Sequence, residues 1–444
     1  MSRDLAGTAS EQVTLRAVLL AIIIVVLLLL TGYLQSWNTA LVILDMGLIS
    51  AVMALGVNLQ WGLAGLFNVG IMGFVALGGL ATVLVSMPPT IAAWSAGGGR
   101  AMLAILAGAA TIAAALFVWR RIPGGAVRGL TVFAVLLVGF VLYRWLLDPA
   151  VDAIESVNPA GTGYLGGLGL PILLSWPVGG LLAAGAAWMI GKTALGLRSD
   201  YLAIATLGIS EIVIATLKNE DWLSRGVKNV VGLPRPVPYE VNLQSDPAFV
   251  AKASELGLNP VMASTLTVKL AYAGLFAVVL IILLLLAQRA LHSPWGRMMR
   301  AIRDNETAAS AMGKHVTARH LQVFILGSAI CGIGGAMLTT LDGQLTPGSY
   351  QPLRFTFLIW IMVIVGGSGN NIGAVLGGFL IWFLWVQVEP IGHWLMSLIT
   401  SGMADGSALK AHLLASAAHM RLMTMGVILL LVFRFSPRGL VPER

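Results

Sequence analysis

Cysteine is nearly absent from the 444 residues: Cys331 stands alone in an apolar run, so no disulfide within the chain can brace the fold. Charge is scarce too. Only 10% of residues are Asp, Glu, Lys or Arg against 58% hydrophobic ones, a balance that excludes an ordinary soluble domain. The mean hydropathy of +0.89 points the same way. Acids number 19 against 27 bases, and a pI near 9.9 would suit a nucleic-acid binder if the bases formed one patch. They lie between long apolar runs instead, where the excess of positive charge in loops on the inner side of a membrane accounts for them. Also missing is any chemistry-bearing cluster. The six histidines, His292, His315 and His320 among them, show no metal-ligand spacing, so no metal, cofactor or catalytic constellation is expected. Gly191-Lys192-Thr193 ends like a phosphate-binding loop, but Gly185 comes one residue too early and Ala186 to Ile190 read as apolar helix. The chain shows no ATPase of its own, and no nucleophile suited to lipid chemistry.

Apolar stretches fill the chain, most of them near the ~20 residues needed to cross a hydrocarbon core. They run over 15–34, 40–57, 71–87, 101–118, 127–145, 170–190, onward from Tyr201, 266–287, 321–341, 355–365, 374–388 and 422–433. The expected fold is an all-α integral membrane protein, a single domain over 1–444 with about 10–12 spans and broken helices. Residues 1–39 are expected to hold a retained first helix, because Thr31-Gly32-Tyr33-Leu34-Gln35 offers no small-residue cleavage site. Two polar excursions follow, over 218–265 and 391–419, and Pro234, Pro236 and Pro238 keep part of the first from being helix. Alternating spans from an inside start place both termini, the loop 288–320 and the tail 434–444 in the cytoplasm. Arg3, Arg16, Arg120, Arg121, Lys192, Arg198, Arg289 and Arg444 then share the inner side, as the positive-inside rule requires.

Four places interrupt the apolar pattern. Glycines and amides from Asn58 to Gly70, including Asn68, and again from Gly366 and Gly367 to Asn370, Asn371 and Gly373, read as helix breaks lining a pathway or as short inter-helix loops. Asp45 sits within a span. Glu211 falls about ten residues, roughly 15 Å, into another, where an acid must meet a partner, a cavity or a proton.

Residues 293–313 are different: polar, helical, and caught between two apolar runs. Ser293 is an N-cap and Pro294 suits the first turn. Gly296, Arg297, Arg300, Arg303, Asp304 and Glu306 lead to the small residues Ala308 and Ala309 and a C-terminal Gly313. Such a helix cannot cross a bilayer. It is either an ordinary basic loop or a compact amphipathic helix that docks in a groove of another protein.

Ala308-Ala309 with Gly313 resembles the coupling loop of ABC importer permeases, with Thr307 where that loop carries its acid. The fuller string from Gly296 to Gly313 resembles the version in permeases of the branched-chain amino acid importer family. Tyr201 to Ile212, YLAIATLGISEI, is similar to a second signature of that family, and the segments 65–71 and 365–374 and the ending from Phe435 to Leu440 are similar to others. Asn68 and Ile71 stand where the family has serine and histidine, and Arg225 to Val231 lacks its glycine-rich loop. The resemblance implies a permease subunit of the bacterial inner membrane that partners ABC ATPases, a second homologous permease and a periplasmic binding protein, with no nucleic acid. It implies a branched-chain or other hydrophobic amino acid as cargo; close relatives carry urea and short amides. It assigns ATPase coupling to Gly296, Arg297, Arg300, Arg303, Asp304, Glu306, Ala308, Ala309 and Gly313. Asn68, Glu211, Gly366, Gly367, Asn370 and Asn371 are the pathway candidates. The rival is a stand-alone secondary transporter driven through Glu211 or Asp45.

Overall fold

Inside a bilayer no water satisfies backbone N–H and C=O groups, so a chain this apolar must close its hydrogen bonds within helices. The computed structural model describes residues 2–159, 161–404 and 407–443, with side chains from Glu11 onward. The side chains of Arg3 and Asp4, and Arg444, fall outside it. Among the described residues ten helices are long and apolar enough to span a membrane, and Ile71–Ser86 and Pro352–Gly366 are shorter apolar helices. The protein is an all-α, multi-pass membrane protein.

In chain order the helices are α1 (Ser2–Leu34), α2 (Trp37–Asn58), α3 (Ile71–Ser86), α4 (Gly99–Arg121), α5 (Ala126–Ser156), α6 (Ser175–Ala194), α7 (Ser199–Asn219) and α8 (Pro260–His292). Then come α9 (Pro294–Asp304), α10 (Glu306–Ala311), α11 (Val316–Asp342), α12 (Pro352–Gly366), α13 (Asn371–Ile399) and α14 (Ala408–Phe435). Helix α2 is the axis: α1, α8, α11, α12 and α13 all pack on it. Helix α3 lies beside α6, α7 and α11, while α4 and α5 form a hairpin that packs chiefly on itself.

Between lipid-bathed helices the association comes from close van der Waals fit, and small residues permit it. A Cβ at Gly78 would overlap the carbonyl oxygen of Gly332, and one at Gly335 would overlap that of Val75. Gly56 faces Gly327 and Cys331, and Met53 faces Gly334, so α2 runs antiparallel to α11. Val75 faces Gly335 and Gly79 faces Thr339, so α3 runs parallel to α11. At one end, here the loop end, Val230–Val231 pairs with Gln344–Leu345. The opposite end carries α9 and is called the arginine end.

Of the two readings of the glycine- and amide-rich interruptions, short loops between helices are what the chain forms at both. Gly366 opposes Gly373 and Gly377 opposes Met362, so α12 and α13 form an antiparallel hairpin rather than one interrupted span. Its turn needs glycine, because Gly367 and Gly369 hold φ of +121° and +86°. Likewise α2 passes through a π-helical turn, Leu59–Leu63, into the loop that reverses the chain toward α3. Most of the stretch 391–419 is helix, since α13 continues past Pro390 to Ile399 and α14 begins at Ala408. An ion pair between Arg421 and Glu389 joins the two helices there. Gly185 to Thr193 lies inside α6, which is continuous helix and no phosphate loop.

Candidate functional site

The two turns meet at the arginine end. Asn58, wholly buried, accepts a hydrogen bond from the Gly369 N–H at 2.8 Å and donates to Asn371 Oδ1 at 2.9 Å. Two residues on, the π-turn carries Gln60, which donates to the Phe324 carbonyl (2.9 Å) and to Ser328 Oγ (3.0 Å) and accepts from Asn68 Nδ2 (2.9 Å). Asn68 in turn accepts from the Gly70 N–H, its carbonyl accepts from Trp360 Nε1 at 3.1 Å, and Thr206 Oγ1 accepts from the Val69 N–H. This lattice satisfies buried backbone groups that the turns leave outside helical hydrogen bonding, where each would otherwise cost several kcal/mol. Beside it Trp61, Phe67 and Trp360 form an edge-on cluster with ring centroids 4.7 to 5.6 Å apart.

Asn370 is an N-cap for α13, accepting from the Ile372 and Gly373 N–H groups, and its amide donates to the Pro442 carbonyl at 3.1 Å. The tail is stitched on by Leu440 and Val441, which donate to the carbonyls of Val365 and Gly366. Thus Asn68, Gly366, Gly367, Asn370 and Asn371, far apart in sequence, share one locus. Glu211 does not join them. It is exposed on the outer face of α7, whose inward face is Thr206, Ser210 and Ile214.

Helix α9 lies across this locus. Ser293 caps it, Pro294 opens it, and Met299 and Ile302 are buried beneath it. Gly296 is pressed against the carbonyls of Ala290 and Leu291, which sets the corner from α8. The expected single helix over 293–313 is in fact two, because Asn305 leaves helical geometry (φ −157°) and caps α10 by accepting from the Ala308 N–H. Arg297 is exposed, as are Asp304, Glu306, Ala308, Gly313 and Met312, while Arg300 is half-buried and Ala309 partly so.

Arg303 points differently from the exposed Arg297. It turns inward, donating from Nη1 to the Gly62 carbonyl and to Glu443 Oε2 at 2.8 Å, and from Nε to Asp304 at 3.3 Å. Burial opposes its charge, but Glu443 and then Asp304 hold the guanidinium above its usual range. A cleft of about 720 Å³ opens there, lined by Trp61, Gly62, Arg300, Arg303, Ser368 and Glu443. Sequence reasoning passed over Gln60, Trp61, Trp360, Glu443 and the 81%-exposed Met312. A glutamine two residues beyond Asn58 was the one available signal. Among the described residues no group of three or more His, Cys, Asp or Glu could hold a metal ion.

A polytopic helical bundle with a polar, two-helix knob outside it defines a membrane protein of the transporter type. Residues 122–433 match the family described as the branched-chain amino acid transport system / permease component, and the chain belongs to that family. It is 29% identical over 235 residues to the high-affinity branched-chain amino acid transport system permease protein LivM of Escherichia coli, covering 52% of this chain and 53% of that protein. A probable branched-chain amino acid transport permease LivM of Methanocaldococcus jannaschii is 25% identical over 296 residues, 66% of this chain and 73% of the other. The fructose import permease FrcC of Rhizobium meliloti is 26% identical over 109 residues, 23% of this chain and 30% of that one. The chain thus spans about half the length of the bacterial LivM proteins it matches. No solved structure matches it.

Proposed function

We propose that this chain is the membrane-spanning permease subunit of an ABC importer that moves branched-chain or other hydrophobic amino acids inward across the bacterial inner membrane. ATP is hydrolysed on separate ATPase subunits, a periplasmic binding protein delivers the cargo, and a second homologous permease completes the assembly. The arginine end and both termini are cytoplasmic. The observation that carries this reading is the knob made by α9 and α10. It presents Arg297, Ala308 and Met312 outward, while Arg303 reaches from the same knob into the turn that ends α2. Closure of a docked ATPase moves the knob, and Arg303 passes the movement to Gly62 and Trp61.

The exposed Glu211 supports a second permease chain. A carboxylate in mid-span facing lipid costs about 2.5–3.5 kcal/mol on insertion scales, and a neighbouring subunit removes that contact. The docking role is tested by the double variant Arg297→Glu, Arg300→Glu. Co-purification with the ATPase is expected to fall about tenfold or more, with the unfolding temperature of the detergent-purified chain unchanged, since charge reversal at a docking face acts mainly on association. Retained association sinks the assignment.

One observation favours the rival, an ion-coupled chain acting alone. Asp45 is buried in α2 and neither of its carboxylate oxygens has a hydrogen-bond partner. Uptake by Asp45→Asn measured with ATP and with an imposed proton gradient separates the two. The importer reading expects ATP-driven uptake near the parental rate and no gradient-driven uptake in either protein; gradient-driven uptake abolished by the substitution favours the rival.

A further inference from the structure

We propose that a cavity between α2, α3, α11, α12 and α13, open toward the loop end at Asp342 and Ser349, is the resting place of one zwitterionic amino acid with a branched apolar side chain, a proposal that rests on the permease reading above. The cavity holds about 200 Å³. That is the space of roughly seven waters, the scale of one small amino-acid molecule.

Its two halves differ in chemistry. Met53, Met72 and Met362 line the half toward the arginine end, a flexible apolar wall that accommodates side chains of more than one shape. Ser50, Trp382 and Asp342 line the half toward the loop end, together with the apolar Met46 and Phe355. The helix packing sets these levels. Met53 faces Gly334, and Asp342 lies about two turns further along α11 toward the loop end. Gly47 faces Phe379, one turn before Trp382 on α13.

Two groups in the polar half lack partners. The Trp382 indole N–H is buried with no hydrogen-bond acceptor, a state that costs free energy until something fills it. Asp342 is exposed at the loop-end mouth of the cavity, and its carboxylate makes no hydrogen bond or ion pair with the described residues. A donor and an anion lining one cavity suit the carboxylate and the ammonium of one zwitterion, whose side chain then points at the methionines. On the far side of the methionines stand Trp61, Phe67 and Trp360. Met53 and Trp61 lie about 12 Å apart along the same helix. The aromatic cluster therefore separates the cavity from the cleft that Arg303 lines, and Arg303 holds the residue next to Trp61.

The test has two arms, both on the full chain. In the first, binding of radiolabelled L-leucine to the purified chain with its co-purifying ATPase is compared with that of Trp382→Phe, which keeps a ring and removes the N–H. The expected loss is about tenfold or more, as for a hydrogen bond to a charged group. In the second, Ser50→Cys in a Cys331→Ala background is labelled with a small methanethiosulfonate. L-Leucine is expected to slow labelling several-fold, while glycine, leucinamide and isovalerate, each lacking the side chain or one charge, do not. Equal leucine binding by Trp382→Phe, or labelling that leucine slows no more than glycine does, overturns the proposal. Leucine uptake by the parental protein keeps the two readings apart. If the parent takes up leucine and Ser50→Cys is unprotected, the cavity alone fails; if the parent takes up none, both fail.

Discussion

Charge reversal at Arg303 is expected to stop ATP-driven uptake while leaving the ATPase bound. The residue lies under the knob rather than on it, with its side chain 26% exposed, and its Nη1 holds both the Gly62 carbonyl and Glu443. Arg303→Glu puts a third carboxylate beside Glu443 and Asp304 and faces it to a carbonyl, so α9 loses its grip on the turn of α2. Uptake is expected to fall about a hundredfold, because the positioning that links two moving parts is lost altogether. Association with the ATPase is expected to stay near the parental level, since Arg297 and Arg300 keep their places. Steady ATP hydrolysis without uptake is the signature to measure. The charge swap Arg303→Glu with Glu443→Arg separates two causes. It restores an ion pair, so recovered thermal stability without recovered uptake assigns transmission to the Gly62 contact. Full recovery of uptake shows that the ion pair alone suffices, and loss of ATPase binding in Arg303→Glu refutes the inward role.

That role was hidden from the sequence for a geometric reason. Arg297, Arg300 and Arg303 recur every three residues and read as one basic face, yet an α-helix turns about 100° per residue, so Arg303 stands some 120° round from Arg297. The difference puts it beside buried Ile302 and over Gly62. The same arithmetic separates Glu211 from its neighbour Ser210: one faces out of α7 and the other faces in. Hydropathy located the spans because membrane insertion reads the chain locally, residue by residue. It could not locate contacts between turns. Asn58 and Asn371 are 313 residues apart, and nothing near either one names the other. Gly366 and Gly367 looked like a broken span because a tight hairpin turn and a mid-membrane break use the same glycines. Only the facing pairs, Gly366 with Gly373 and Met362 with Gly377, tell them apart.

The Asn58 lattice carries the largest expected effect on stability. Asn58→Leu keeps the shape and removes both partners at once, stranding the buried Gly369 N–H and the Asn371 carboxamide, whose Nδ2 already lacks a partner. Each stranded group costs about 1–3 kcal/mol, so the total is expected near 4 kcal/mol, a large share of a folded domain's margin. The detergent-purified protein should melt well below the parent, and the turn at Gly367 to Asn370 should become sensitive to protease. A double-mutant cycle makes the claim specific. Asn371→Leu alone strands only the Asn58 amide, and the pair Asn58→Leu, Asn371→Leu removes donor and acceptor together, leaving the Gly369 N–H as the single orphan. The double variant is therefore expected to be less destabilised than the sum of the singles by about 1–2 kcal/mol. Strict additivity would mean that the two side chains do not interact, and the join between the α2 turn and the α12–α13 hairpin would then rest on backbone contact alone.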